Sequence, residues 1–131
     1  MNSEKKNVLL CDDDQAVLDA MSELLQNSGY AVSTAHEHTE LMQRLNEGTP
    51  DLIILDVRMP ERDGIWVAEC LQALGSQIPV LFLTGCDSTI FRLYAPFVGA
   101  VGYFLKPVNA QLLLQKIKSV FDKTPQRHIT A

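Results

Sequence analysis

A chain of 131 residues, 47% hydrophobic and 21% charged, suits one globular domain with enough core to need no disulfide staple, and its composition argues against a disordered chain, a coiled coil and a collagen-like fibre. The net charge of −5 gives no support to nucleic-acid binding by the domain itself. Apolar runs such as Val80-Leu81-Phe82-Leu83 fall far short of the roughly 20 residues that cross a bilayer, so no membrane partner is expected.

The three cysteines, Cys11, Cys70 and Cys86, are odd in number and lack CxxC spacing. That pattern argues against a disulfide scaffold or zinc ribbon and favours a reducing cytoplasm. The polar start Met-Asn-Ser-Glu-Lys-Lys lacks the apolar stretch of a secretory signal.

In chain order, short apolar runs alternate with helical periodicity. Val8-Leu9-Leu10 predicts a buried strand. Residues 15–27 place Val17, Leu18, Met21, Leu24 and Leu25 on one helical face, and Gly29 stops that helix. A weaker strand over 30–35 precedes a helix over 37–47 with Leu41, Met42 and Leu45. Leu52-Ile53-Ile54-Leu55 is uninterrupted and β-friendly, as a central parallel strand covered on both faces requires. A helix over 65–74 contains Trp66, Val67, Cys70, Leu71 and Leu74, with Trp66 expected to pack in the core. Pro79 opens a fourth strand, Val80 to Leu83. Asp87 or Ser88 can cap a fourth helix that Pro96 should end or kink. Tyr103-Phe104-Leu105 predicts the fifth strand. Asn109 caps a last helix carrying Leu112, Leu113, Ile117, Val120 and Phe121. The βα alternation predicts right-handed crossovers and a three-layer sandwich around a parallel sheet, without fixing the strand order.

Polar residues fall at the strand ends. Strand one runs into Asp12-Asp13-Asp14, strand three into Asp56, strand four into Thr84 and strand five into Lys106-Pro107. In a parallel sheet these ends share one edge, where ligands of open α/β sheets bind. Each residue alone has an ordinary reading: a helix cap for the Asp run, a turn residue for Asp56. Together they are specific. Asp12, Asp13 and Asp56 with Lys106 leave about −2 charge when ionised, which a hard divalent cation would offset. Oxygen-only ligands on an open rim suit Mg²⁺. A carboxylate nucleophile, a metal and a cationic clamp are the parts of phosphoryl transfer to Asp56.

These residues resemble the CheY-like receiver domains of two-component response regulators. The resemblance covers residues 7 to about 121 and rests on Leu9-Leu10-Cys11-Asp12-Asp13-Asp14, Leu55-Asp56-Val57-Arg58-Met59-Pro60 with Gly64, Leu83-Thr84-Gly85, and Gly99-Ala100 followed by Tyr103-Phe104-Leu105-Lys106-Pro107. It implies a flavodoxin-like (βα)5 fold with a five-stranded parallel sheet of order 2-1-3-4-5. It implies that Asp56 takes a phosphoryl group from the phosphohistidine of a sensor histidine kinase or a phosphotransfer protein. Asp13 and Asp56 would ligate Mg²⁺ directly, Asp12 through water, and Arg58 through its carbonyl. Lys106 would pair with phosphoryl oxygens, and Thr84 and Tyr103 would form the switch toward an output surface of the fourth helix, fifth strand and fifth helix.

The chain is accordingly expected to be a signalling module that catalyses only its own phosphorylation and dephosphorylation. The receiver would span 1–122, with 123–131 a tail or the start of a linker to an output domain after Ala131. Homodimerisation on phosphorylation and a role in transcriptional control are further expectations. An aspartate-nucleophile phosphatase is the enzyme-class alternative, but its general acid position holds Arg58, whose guanidinium does not give up a proton near neutral pH. A degenerate receiver that only binds is the other alternative; all the expected site residues are nevertheless present. The resemblance implies that Arg58 and Cys86, two residues beyond Asp56 and Thr84, border the approach of hydrolytic water. Neither is a good proton acceptor, so slow loss of the phosphoryl group is expected.

Overall fold

The computed structural model describes residues 5–58, 64–85, 92, 93 and 95–123. Five strands form one sheet: β1 (Asn7–Cys11), β2 (Ala31–Ala35), β3 (Leu52–Asp56), β4 (Val80–Thr84) and β5 (Ala100–Leu105). All neighbouring pairs are parallel, in the order β2-β1-β3-β4-β5. The central runs at β3 and β4 are buried along their whole length, as their uninterrupted apolar sequence requires.

The covering helices are α1 (Gln15–Asn27), α2 (His38–Glu47), α3 (Gly64–Ala73) and a C-terminal helix (Ala110–Lys123). Alternation along each strand sends successive side chains to opposite faces. Leu9, Ile53, Leu55 and Phe82 therefore meet Leu41 of α2 and Val67 and Leu71 of α3. Leu10, Ile54 and Leu81 meet Leu18 and Leu25 of α1 and Leu113 and Ile117 of the C-terminal helix. Each large apolar side chain so buried contributes roughly 1.5–3 kcal/mol relative to exposure. These two cores make the three layers.

Helix ends follow local chemistry. Asp14 Oδ1 accepts from the Ala16 amide at 2.9 Å and caps α1, and Asn109 Oδ1 accepts from the Leu112 amide at 3.0 Å at the C-terminal helix. Beyond α1 and α3 the chain turns at Gly29 and Gly75, with φ of +98° and +82°, a conformation that favours glycine.

Some boundaries differ from the sequence reading. β5 begins at Ala100, three residues before the apolar triplet that signalled it, because Ala100 and Gly102 pair with Val80 and Leu81 in spite of their weak strand preference. The last helix runs through Lys123, one residue past the expected domain limit. Pro96 lies in a 3₁₀ turn, Ala95–Val98, whose tighter bonding tolerates proline near its start. The expected fourth-helix cap at Asp87 or Ser88, Cys86, the Met59-Pro60 pair and the tail from Thr124 lie outside the described residues. Among the described residues, no helix is long and apolar enough to cross a membrane.

Candidate functional site

The strand order reverses beside β1, with β2 on one side and β3 on the other. The carboxyl ends of β1 and β3 therefore open a crevice between diverging connections. β1 delivers Asp12 and Asp13 to this rim, β3 delivers Asp56, β4 Thr84, and the turn after β5 Lys106. Among the described residues, the buried polar ones are Asp12, Asp56 and Thr84, at 2%, 4% and 2% exposure. All three stand at this one edge. Burying such groups costs free energy unless they are paired, so their concentration here marks the place where the fold sustains that cost.

The pairing is visible. Lys106 Nζ donates to Asp12 Oδ2 at 2.7 Å and lies 3.3 Å from Asp56 Oδ2. The Asp14 amide donates to Asp12 Oδ1 at 2.9 Å, turning the chain into α1. The Arg58 amide donates to Asp56 Oδ1 at 3.2 Å. Lys106 is held by its own backbone, whose amide donates to the Thr84 carbonyl at 2.8 Å. The Lys106–Pro107 peptide is cis.

One carboxylate oxygen from each of Asp12, Asp13 and Asp56 lies within 4.8 Å of the others. Asp13 is exposed, so the trio opens to solvent on one side. Such hard oxygen donors are the type Mg²⁺ takes, with water filling the remaining positions.

The electrostatics follow from burial and crowding. Burial, and next the Asp12 carboxylate, push the Asp56 carboxyl above the usual aspartate range, an effect that Lys106 and the Arg58 amide only partly offset. Burial alone would pull the Lys106 ammonium down. Its hydrogen bond to Asp12 and the charges of Asp12 and Asp56 outweigh that and hold it above the usual lysine range. Cys11, directly beneath, has its thiol pushed up to about 12 by burial and by the Asp12 carboxylate, so it is inert there.

The structure thus brings Asp12, Asp13, Asp56 and Lys106 together, with Thr84 buried at the neighbouring strand end. Arg58 contributes its amide to Asp56 while its residue is exposed. Tyr103 is half-buried on β5, packed against the core that includes Phe82. Trp66 is half-buried against the same core, with its ring 4.9 Å from that of His38 in an edge-on contact.

Two features escaped the sequence reading. Asp12 is the nearer carboxylate to Lys106. The Arg92 guanidinium lies 5.8 Å from the centroid of the Tyr103 ring. Neither carries a motif, because each joins residues that only the fold makes adjacent.

The sequence profile of the response regulator receiver domain matches residues 8–118. The response regulator protein TodT of Pseudomonas putida is 34% identical over 131 residues, covering 100% of this chain and 58% of that protein. Response regulator MprA of Mycobacterium ulcerans is 34% identical over 117 residues, covering 89% of this chain and 50% of its own length. The chain therefore spans about half the length of these relatives. A CheY-like response regulator receiver domain from Methanospirillum hungatei JF-1, known from its crystal structure, superposes with a TM-score of 0.86 at 30% identity, covering 92% of this chain and 96% of the other. A profile that runs from β1 into the C-terminal helix, on a sheet of the same architecture, shows that the chain belongs to the family of response regulator receiver domains.

Proposed function

We propose that this receiver accepts a phosphoryl group on Asp56 from the phosphohistidine of a sensor histidine kinase or a phosphotransfer protein. The observation that carries the reading is the restriction of buried polar residues to Asp12, Asp56 and Thr84 among the described residues, with Lys106 within 3.3 Å of Asp56. A carboxylate oxygen of Asp56 attacks phosphorus, the P–N bond breaks as the P–O bond forms, and the imidazole departs with a proton. Lys106 turns from the carboxylates to the incoming phosphoryl oxygens and offsets their charge. The Thr84 hydroxyl donates to another of these oxygens. Asp13 and Asp56, with Asp12 through water and Arg58 through its carbonyl, would hold Mg²⁺, which would supply charge neutralisation for the phosphoryl transfer.

Thr84 and Tyr103 are the switch: a Thr84 drawn to the phosphoryl group leaves room for the Tyr103 ring, which carries the change to the surface of β5 and the C-terminal helix. The greater length of the relatives supports a further, output domain beyond the receiver; a role in transcriptional control and homodimerisation on phosphorylation rest on the family resemblance alone. Arg58 and Cys86, poor proton acceptors, favour slow loss of the phosphoryl group.

Incubation with a small-molecule phosphodonor and Mg²⁺ is expected to add one phosphoryl group by intact mass, and EDTA to prevent it. Asp56→Asn is expected to abolish the shift. Persistent labelling of that variant would overturn the assignment.

A further inference from the structure

Strand pairing puts Thr84 and Tyr103 on one face of the sheet. The register sets Phe82 opposite Tyr103 and Thr84 opposite Leu105. Side chains two apart on a strand share a face, so Thr84 and Tyr103 are diagonal neighbours on adjacent strands. Tyr103 accordingly packs against the core cluster that contains Phe82 and the buried Ala95 of the 3₁₀ turn. Part of its ring remains accessible, and the exposed Arg92 guanidinium lies over the ring at 5.8 Å from the centroid. That separation is within the roughly 6 Å reach of a cation–π contact.

We propose that Arg92 is a positioning residue for Tyr103. Its guanidinium stabilises the resting place of the ring and opposes displacement of the ring toward Thr84. The inference rests on the switch reading given above. The attraction exists only while the ring lies beneath the guanidinium, so a displaced ring forfeits it. Whatever favours the displaced state must overcome that preference, and removing Arg92 raises the population of that state and its apparent affinity for a phosphoryl mimic by the same factor. An exposed cation–π pair sets this factor at about three-fold.

The test uses the whole chain carrying Arg92→Gln or Arg92→Lys. The Tyr103 ring is followed by aromatic NMR, with Tyr30→Phe and Tyr94→Phe backgrounds to assign the three tyrosines. Beryllium fluoride with Mg²⁺ serves as the phosphoryl mimic. Without the mimic, the Tyr103 signal of Arg92→Gln is expected to lie part of the way toward its position in mimic-saturated wild type. The variant is expected to bind the mimic about three-fold more tightly. Arg92→Lys, a point charge without a planar face, is expected to fall between the two. A resting Tyr103 signal and mimic affinity both equal to wild type would overturn the proposal. So would a signal that moves with no change in affinity, which would reduce Arg92 to a surface contact. A wild-type Tyr103 signal that ignores saturating mimic would overturn the switch reading itself, an outcome distinguishable because it needs no Arg92 variant.

Discussion

At the amino edge of the sheet the Asn7 amide donates to Asp51 Oδ2 at 2.7 Å and the Ile53 amide to the Pro79 carbonyl at 3.0 Å. Asp51 keeps contact with solvent there, and a nearby cleft of about 210 Å³, walled by Leu71, Ile78, Val80 and Val101, has no charged residue in its lining. At the carboxyl edge the same strands end in Asp12, Asp56 and Thr84, all buried, with one ammonium between two carboxylates. One edge joins strands to helices at little electrostatic cost. The other holds like charges together out of water, which folding alone would not select. The two ends of each strand thus serve different purposes, and substitutions at one should affect a different property from substitutions at the other.

The largest expected effect belongs to the amino end. Leu52 opens β3 and is 0% exposed. Leu52→Ala is expected to cost about 3 kcal/mol in chemical denaturation, through lost burial and the cavity left behind. Phosphorylation of the folded fraction should proceed at the wild-type rate. A phosphorylation rate that fell in step with stability would erase the distinction between the edges.

At the carboxyl end the expected sign reverses. The Asp56 carboxyl is held above its ordinary range, mainly by burial and by Asp12. A raised carboxyl means that, between that value and the ordinary one, the folded state binds more protons than the unfolded state. Stability therefore falls as pH rises through the window, and the cost is fully present above it. In EDTA at pH 7, Asp56→Asn is expected to be more stable than wild type by about 1 kcal/mol. That advantage should shrink as pH falls through the Asp56 window toward the ordinary aspartate value. An advantage that stays constant over this range would show that Asp56 ionisation is not the source.

A smaller gain is expected from Asp13→Ala, since Asp13 is exposed and solvent weakens its repulsion. In EDTA its melting temperature should rise by about 2 °C. The wild type should gain stability with millimolar Mg²⁺ as ligand binding to the native state requires, and Asp13→Ala should lose that gain. Equal responses of the two proteins to Mg²⁺ would separate Asp13 from the metal site.

Much of this contrast was legible in the residues. The apolar runs at Leu52–Leu55 and Val80–Leu83 announced buried central strands, and the polar residue after each announced the functional edge. Gly29 marked the end of α1 because the turn there needs a positive φ. Strand order was another matter: alternation of β and α is compatible with several orders, and order 2-1-3-4-5 came from the family resemblance. The apolar pattern marks only the Tyr103–Leu105 end of β5, because Gly102 interrupts it. A Cβ there would stand 2.8 Å from Cε of Lys116, a neighbour that only the fold supplies and whose flexible side chain can move aside. The Lys106–Asp12 pair spans 94 residues, and the contact of Arg92 with Tyr103 joins a residue between β4 and β5 to the edge strand. No local pattern encodes either.

The central claim is that Asp56 is the phosphoacceptor. The most direct measurement traps the acyl phosphate chemically. After incubation with a small phosphodonor and Mg²⁺, borohydride reduces an aspartyl phosphate to homoserine, releasing phosphate, and peptide mass mapping locates the converted residue. Conversion at Asp56 alone, absent when EDTA is added, is the predicted result; conversion at Asp12 or Asp13, or undiminished conversion in EDTA, would contradict it.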